Sequence, residues 1–125
     1  MIDSIISLKM MDNTVTIFTS DHGNNFRTRN EEYKRSCHES SIRVPTSFVG
    51  NIFDQGGRLK ELINILDINA TILNIAGVDI PENHDGNSII PLLSSNYIDW
   101  KKDIFVQISE SQVARAIRTK KWKYC

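Results

Sequence analysis

Long apolar runs are missing from this sequence. No stretch approaches the roughly 18 consecutive residues that a bilayer-spanning helix needs, so no membrane span is expected. Cysteine is scarce: Cys37 and Cys125 make no disulfide framework and have neither zinc-ligand nor redox-motif spacing. A charge of one sign is lacking as well. Fifteen basic residues balance fifteen acidic ones, which leaves no electrostatic footprint for nucleic acid or an anionic membrane surface. No internal repeat or low-complexity segment is present. The first eleven residues, with Asp3 and Lys9 among scattered apolar positions, do not read as a signal peptide. What remains, 40% hydrophobic and 24% charged residues over 125 positions, is the composition of about one globular domain.

Ile2, Ile5 and Ile6 stand at helical spacing and predict a short helix near the start. After the turn signal Asp12-Asn13, Thr14–Thr19 is β-branched and aromatic without alternation, as in a strand buried on both faces of a parallel sheet. Residues 24–41 are almost devoid of apolar side chains, and a loop that long is usually functional or disordered. Val44–Val49 predicts a second strand, with Pro45 at its start where a missing N–H does least harm. Residues 58–76 read either as one continuous helix or, as preferred, as a short strand ending near Leu66 and a helix N-capped by Asp67, with Gly77 ending the element in either case. Beyond a polar loop at 81–87, Ile104–Ile108 reads as a strand, and Val113–Arg118 with Trp122–Tyr124 as a hairpin. Asn69-Ala70-Thr71 matches a glycosylation pattern but falls in the expected helix, where it carries little weight. The sum is an α/β fold, a mixed sheet flanked by helices, followed by the start of an antiparallel appendage.

Asp21, His22 and Gly23 follow the first strand directly. Ligands of open α/β sheets bind beyond the C-terminal strand ends, and a glycine there would let the backbone turn so that both side chains converge on one ion. A carboxylate and an imidazole are half a divalent-metal site. Calcium takes about six to eight oxygen ligands and zinc about four ligands of mixed type, so further ligands must come from elsewhere. Equally, the tripeptide reads as a turn whose polar groups satisfy the loop, and the local spacing does not choose the metal.

Several ordered segments resemble the sulfatase family of the alkaline-phosphatase superfamily. They are Thr19-Ser20-Asp21-His22-Gly23, Tyr33-Lys34, and Glu39-Ser40-Ser41-Ile42-Arg43-Val44-Pro45. Leu66-Asp67-Ile68-Asn69-Ala70-Thr71 is similar to the family's Asp-x-x-Pro-Thr helix, with Ala70 in place of the proline. Asp85-Gly86-Asn87-Ser88 leading to Pro91-Leu92-Leu93 resembles a further family segment, and Ala116–Tyr124 the first hairpin of its C-terminal subdomain. The resemblance implies an alkaline-phosphatase-like sheet, with residues 1–100 as the later part of the catalytic domain and 101–125 as the start of the antiparallel subdomain.

It also implies a calcium ion, with manganese or zinc as alternatives, held by Asp21 and His22. Lys34 would be the catalytic and substrate-binding contact to a sulfate ester, carbohydrate or aryl. The family's nucleophile is a formylglycine made from a Cys or Ser in a C/S-x-P/A-x-R motif, which this sequence lacks. The expectation is therefore a piece of a sulfatase, inactive alone, whose missing N-terminal segment supplies the nucleophile. Its compartment is not readable, and a periplasmic or secreted parent is compatible with it. Read by itself, Lys34 is a solvated cation in a loop with Arg27, Arg29 and Arg35. Glu39 and Arg43 read as an ion pair or loop anchors, and His38 and His84 as structural or surface residues. Two rival readings remain: a phosphodiesterase or phosphonate monoester hydrolase of the same superfamily, and a non-catalytic module.

Overall fold

The isoleucine stripe near the start forms helix α1, Ile2–Ser7, and a 3-10 turn over Met11–Asn13 delivers the chain into strand β1, Thr16–Phe18. The computed structural model describes residues 1–28, 31, 33–94, 99–110 and 113–125; Arg29 lies outside them. The chain forms two units, Met1–Arg58 and Leu59–Cys125, and each is described by itself.

In the first unit a short helix α2, Glu39–Ile42, precedes strand β2, Ser47–Val49. β2 pairs antiparallel with β1 in the register Thr16↔Val49, Ile17↔Phe48 and Phe18↔Ser47. A buried Gly50 turns the chain out of β2; a Cβ there would meet the Thr14 carbonyl oxygen at 2.8 Å. Phe48 then stacks on Phe53 from the next 3-10 turn, ring centres 5.1 Å apart. Two expectations are corrected here. The only partner of β1 among the described residues is antiparallel, and the strand is not buried on both faces: Phe18 is 65% exposed. A strand covered on one side leaves its alternate side chains facing outward. Within the described part of segment 24–41, Asn25, Ser36, Cys37 and Ser41 are buried.

The second unit is organised by helix α3, Ile65–Ile75. Its N-cap is Asn64, three residues before the expected Asp67. The Asn64 side chain accepts from the Asp67 N–H at 3.1 Å, while the Asp67 carboxylate accepts from the Asn64 N–H at 2.8 Å. This reciprocal box satisfies two orphan donors where an Asp67 cap would satisfy one. At the other end Gly77, at φ 70°, donates to the Asn74 carbonyl and Val78 to that of Leu73. Those two bonds close the helix as a left-handed glycine cap.

Asp67 is wholly buried, and its carboxylate also accepts from the Asn87 N–H at 2.8 Å and from Lys101 Nζ at 2.6 Å. Thr71, one turn on, donates to the Asp67 carbonyl and accepts from the Ile89 N–H at 3.0 Å. Gly86 presses on the same helical turn, where a Cβ would stand 2.2 Å from the Leu66 carbonyl oxygen. The Asp, Thr and Gly of the two family-like segments thus interlock α3 with the loop after it. Ala70 is fully buried in the same helix and keeps the backbone donor that a proline would lack.

Strands β3 (Asp103–Ser109), β4 (Val113–Thr119) and β5 (Lys123–Tyr124) form an antiparallel sheet in that order. Phe105 faces Ile117, and Ile117 faces Tyr124. Among the described residues no helix is long and apolar enough to cross a membrane.

Candidate metal centre and lysine loop

Asp21 and His22 stand just past the C-terminal end of β1, on the turn where the chain leaves the sheet. Thr19 Oγ1 meets Thr46 Oγ1 at 2.9 Å, which ties this exit to the approach to β2. Ser20 Oγ donates to the His22 carbonyl at 2.8 Å, and the His22 N–H donates to Asp21 Oδ1 at 3.0 Å. The turn is therefore stitched by its own polar groups, as the purely structural reading required. The side chains go further.

His22 Nδ1 lies 2.8 Å from the Gly23 carbonyl oxygen. A carbonyl only accepts, so Nδ1 carries the proton and, in the neutral ring, Nε2 holds a lone pair. Nε2 lies 3.4 Å from Asp21 Oδ2. Two lone pairs that close are unfavourable unless a proton or a cation lies against them. With a proton they form an ion pair; with a divalent cation they form two arms of its shell. A carbonyl that fixes the tautomer of a metal-binding imidazole is the usual outer-shell device. Slight burial would raise the pKa of Asp21, but the His22 charge and the hydrogen bonds from the His22 and Asp21 N–H groups and the Ser20 hydroxyl outweigh it. Its carboxyl is held below the usual carboxylate range. The donor set suits a divalent ion but is incomplete: among the described residues no third His, Cys, Asp or Glu joins the pair.

Gly23 is needed here for space, and not for the turn conformation inferred from sequence: its φ is not in the left-handed region. Its N–H donates to the Ser41 carbonyl at 2.7 Å, and a Cβ would stand 2.0 Å from the Ser40 carbonyl oxygen. The Asp21–His22 turn and α2 are in backbone contact, which only glycine permits.

Lys34 is exposed, on the loop that returns toward this turn. The Asn25 N–H donates to the Tyr33 carbonyl at 2.5 Å, and the Ser36 N–H to that of Lys34 at 2.8 Å. The Arg27 guanidinium lies over the Tyr33 ring, 4.6 Å from its centre. Phe26 and Arg27 both have positive φ, 49° and 57°, a conformation uncommon outside glycine that marks a loop held by its surroundings.

Two polar residues of this region, Asn25 and Ser36, were not singled out by sequence. Asn25, 1% exposed, donates from Nδ2 to Ser36 Oγ at 2.7 Å and accepts on Oδ1 from Ser40 Oγ. Ser36 Oγ meets Ser41 Oγ at 2.9 Å. Short polar residues in a polar loop give no periodic signal, so only the contacts reveal them. His38 N-caps α2, its carbonyl accepting from Ser41 and Ile42, and the Arg43 N–H donates to the Glu39 carbonyl at 2.8 Å. His84 accepts on Nδ1 from the Gly86 N–H at 2.9 Å and so shapes its own loop.

Comparison with known proteins identifies the family. Residues 32–125 match the family described as N-sulphoglucosamine sulphohydrolase, C-terminal. Human arylsulfatase K is 29% identical over 127 residues, covering 94% of this chain and 24% of that protein. Choline-sulfatase of Rhizobium meliloti (strain 1021) is 32% identical over 130 residues, covering 99% of this chain and 25% of that protein. The chain thus spans about a quarter of the length of the curated relatives it matches. Among solved structures, a protein in complex with its substrate D-glucosamine-2-N,6-O-disulfate superposes with a TM-score of 0.75 at 22% identity, covering 95% of this chain and 26% of that one. A Bacteroides thetaiotaomicron crystal structure gives 0.75 at 21% identity, covering 98% and 30%. The chain belongs to the sulfatase family and corresponds to its C-terminal part. Its fold, helices with antiparallel strands and a small C-terminal antiparallel sheet, is that of these structures.

Proposed function

We propose that this chain is the C-terminal part of an enzyme that hydrolyses a sulfate ester, with Asp21 and His22 binding a divalent cation and Lys34 contacting the sulfate. The observation that carries this reading is the orientation of the His22 ring, whose Nδ1 is engaged by the Gly23 carbonyl at 2.8 Å while Nε2 faces the Asp21 carboxylate at 3.4 Å. Calcium is the cation the family suggests; manganese or zinc would also accept this pair. The bound cation would neutralise sulfate oxygens as a Lewis acid, and a formylglycine outside this chain would be the nucleophile. Lys34 adds a compact ammonium that offsets charge developing on the ester oxygen as the S–O bond breaks. The solved relative's substrate, a sulfated glucosamine, favours a sulfated carbohydrate, with aryl sulfate as a convenient assay substrate.

The test uses the full polypeptide that carries this chain. Metal content after loading with calcium, manganese or zinc is measured beside turnover of an aryl sulfate, for the parent, Asp21→Asn and His22→Ala. Loss of both metal and turnover in both variants is expected. Full metal retention by both would remove the pair from the shell, and turnover of a phosphodiester but not of any sulfate ester would overturn the substrate class.

A further inference from the structure

We infer that Asn25 is a positioning residue that sets the placement of Lys34 against the Asp21–His22 turn; the inference rests on the sulfatase reading for its catalytic meaning. Asn25 follows His22 by three residues, and it is 1% exposed between the exposed Asn24 and Phe26. Every polar group it owns is used. Its N–H holds the Tyr33 carbonyl at 2.5 Å, and its carbonyl accepts from the Thr28 N–H at 2.9 Å and from Thr28 Oγ1 at 2.5 Å. Its amide nitrogen holds Ser36 Oγ at 2.7 Å, and its amide oxygen takes the Ser40 hydroxyl.

Both backbone restraints on Lys34 lead back to this residue. The carbonyl before Lys34 is bound by the Asn25 N–H. The carbonyl of Lys34 is bound by the Ser36 N–H, whose hydroxyl the Asn25 amide grips. From Ser36 the path continues to Ser41 Oγ, and the Ser41 carbonyl receives the Gly23 N–H at 2.7 Å, beside His22. The circuit Gly23–Ser41–Ser36–Asn25 is closed, so the lysine loop and the metal-ligand turn share one polar frame. An amide suits the hub because it donates at one end and accepts at the other. Aspartate has the same shape but only accepts, so it would lose the donation to Ser36 Oγ and bury a charge. A displacement of about 1 Å at a catalytic group costs on the order of a hundredfold in rate. A hub that touches neither substrate nor metal therefore acts through Lys34.

The test compares the full polypeptide with Asn25→Asp, Asn25→Ala and, in case those fail to fold, Ser36→Ala, which removes the acceptor while keeping Asn25. The expected result is a fall of tenfold or more in kcat for aryl sulfate per metal-loaded molecule, with metal content unchanged. A purely structural role would lower the loaded, folded fraction and leave kcat per loaded molecule as it was; that result overturns the inference. If the parent turns over no sulfate ester, the functional reading fails separately. Crystal structures of parent and Asn25→Ala then decide the positioning itself: a shift of residues 33–36 against His22 supports it, and an unmoved segment refutes it.

Discussion

Adding one methyl group at Gly23 probes the link between α2 and the Asp21–His22 turn, the proposed metal site, directly. In Gly23→Ala the new Cβ would begin 2.0 Å from the Ser40 carbonyl oxygen and 2.9 Å from its carbon, against the 3.4 Å at which ordinary contact starts. The backbones must part by about 1.4 Å, because the obstructing atoms are main chain and cannot rotate away. Separation on that scale breaks the 2.7 Å bond from the Gly23 N–H to the Ser41 carbonyl. Overpacking of about 1–3 kcal/mol and a lost hydrogen bond of about 1 kcal/mol together give about 2–4 kcal/mol.

The functional consequence is larger than the stability figure suggests. The Gly23 carbonyl fixes the His22 ring, and disturbing such an outer-shell partner costs about 10–100-fold in metal affinity. Calorimetric titration of calcium into the parent polypeptide and the variant measures the affinity, and urea unfolding measures the stability. Gly86→Ala is the matched control. It makes a similar backbone collision, 2.2 Å from the Leu66 oxygen, but should cost stability and leave metal affinity unchanged. Equal metal affinity in Gly23→Ala and parent would refute the reasoning, as would an equal loss in Gly86→Ala.

Asp67→Asn should destabilise by about 3–5 kcal/mol, because it leaves Lys101 against a neutral, mismatched partner in a buried site. In a double-mutant cycle with Lys101→Met the two losses should be clearly less than additive, and simple additivity would show that the pair is not coupled. Lys34→Ala should lower turnover by about 10²-fold or more with metal content intact, and unchanged kinetics would dismiss Lys34 from the site. The pKa of Asp21 is lowered in the folded chain. Its contribution to stability is therefore complete above the unfolded aspartate value of about 3.9 and is lost as pH falls through the lower folded value. An NMR titration of its carboxyl carbon should give a midpoint below that of a model peptide, and a midpoint at or above it would contradict the hydrogen bonding described.

The sequence by itself determined the order and kind of most elements. The β-branched run Thr14–Thr19, Gly77 as a helix stop and the Thr119–Trp122 turn are local signals, set by backbone sterics and turn chemistry; the strand occupies the shorter span Thr16–Phe18 within that run, and the glycine stop and the turn stand where the pattern placed them. The adjacency of Asp21 and His22 was legible for the same reason, as was the whole set of family-like segments. Where two local solutions competed, tertiary structure chose between them. Asp67 was a sound cap on its own, but Asn64 takes the N-cap position, and the Asp67 carboxylate, besides closing the box with Asn64, is held by Asn87 and Lys101, 20 and 34 residues further along the chain. The roles of Gly23 and Gly86 were equally hidden, because each is dictated by a carbonyl approaching from another segment and not by its own φ. The hub at Asn25 belongs to the same class. It depends on which polar atoms of residues 11 and 15 positions apart are brought into hydrogen-bonding reach, and distances across a fold are not encoded in spacing along the chain.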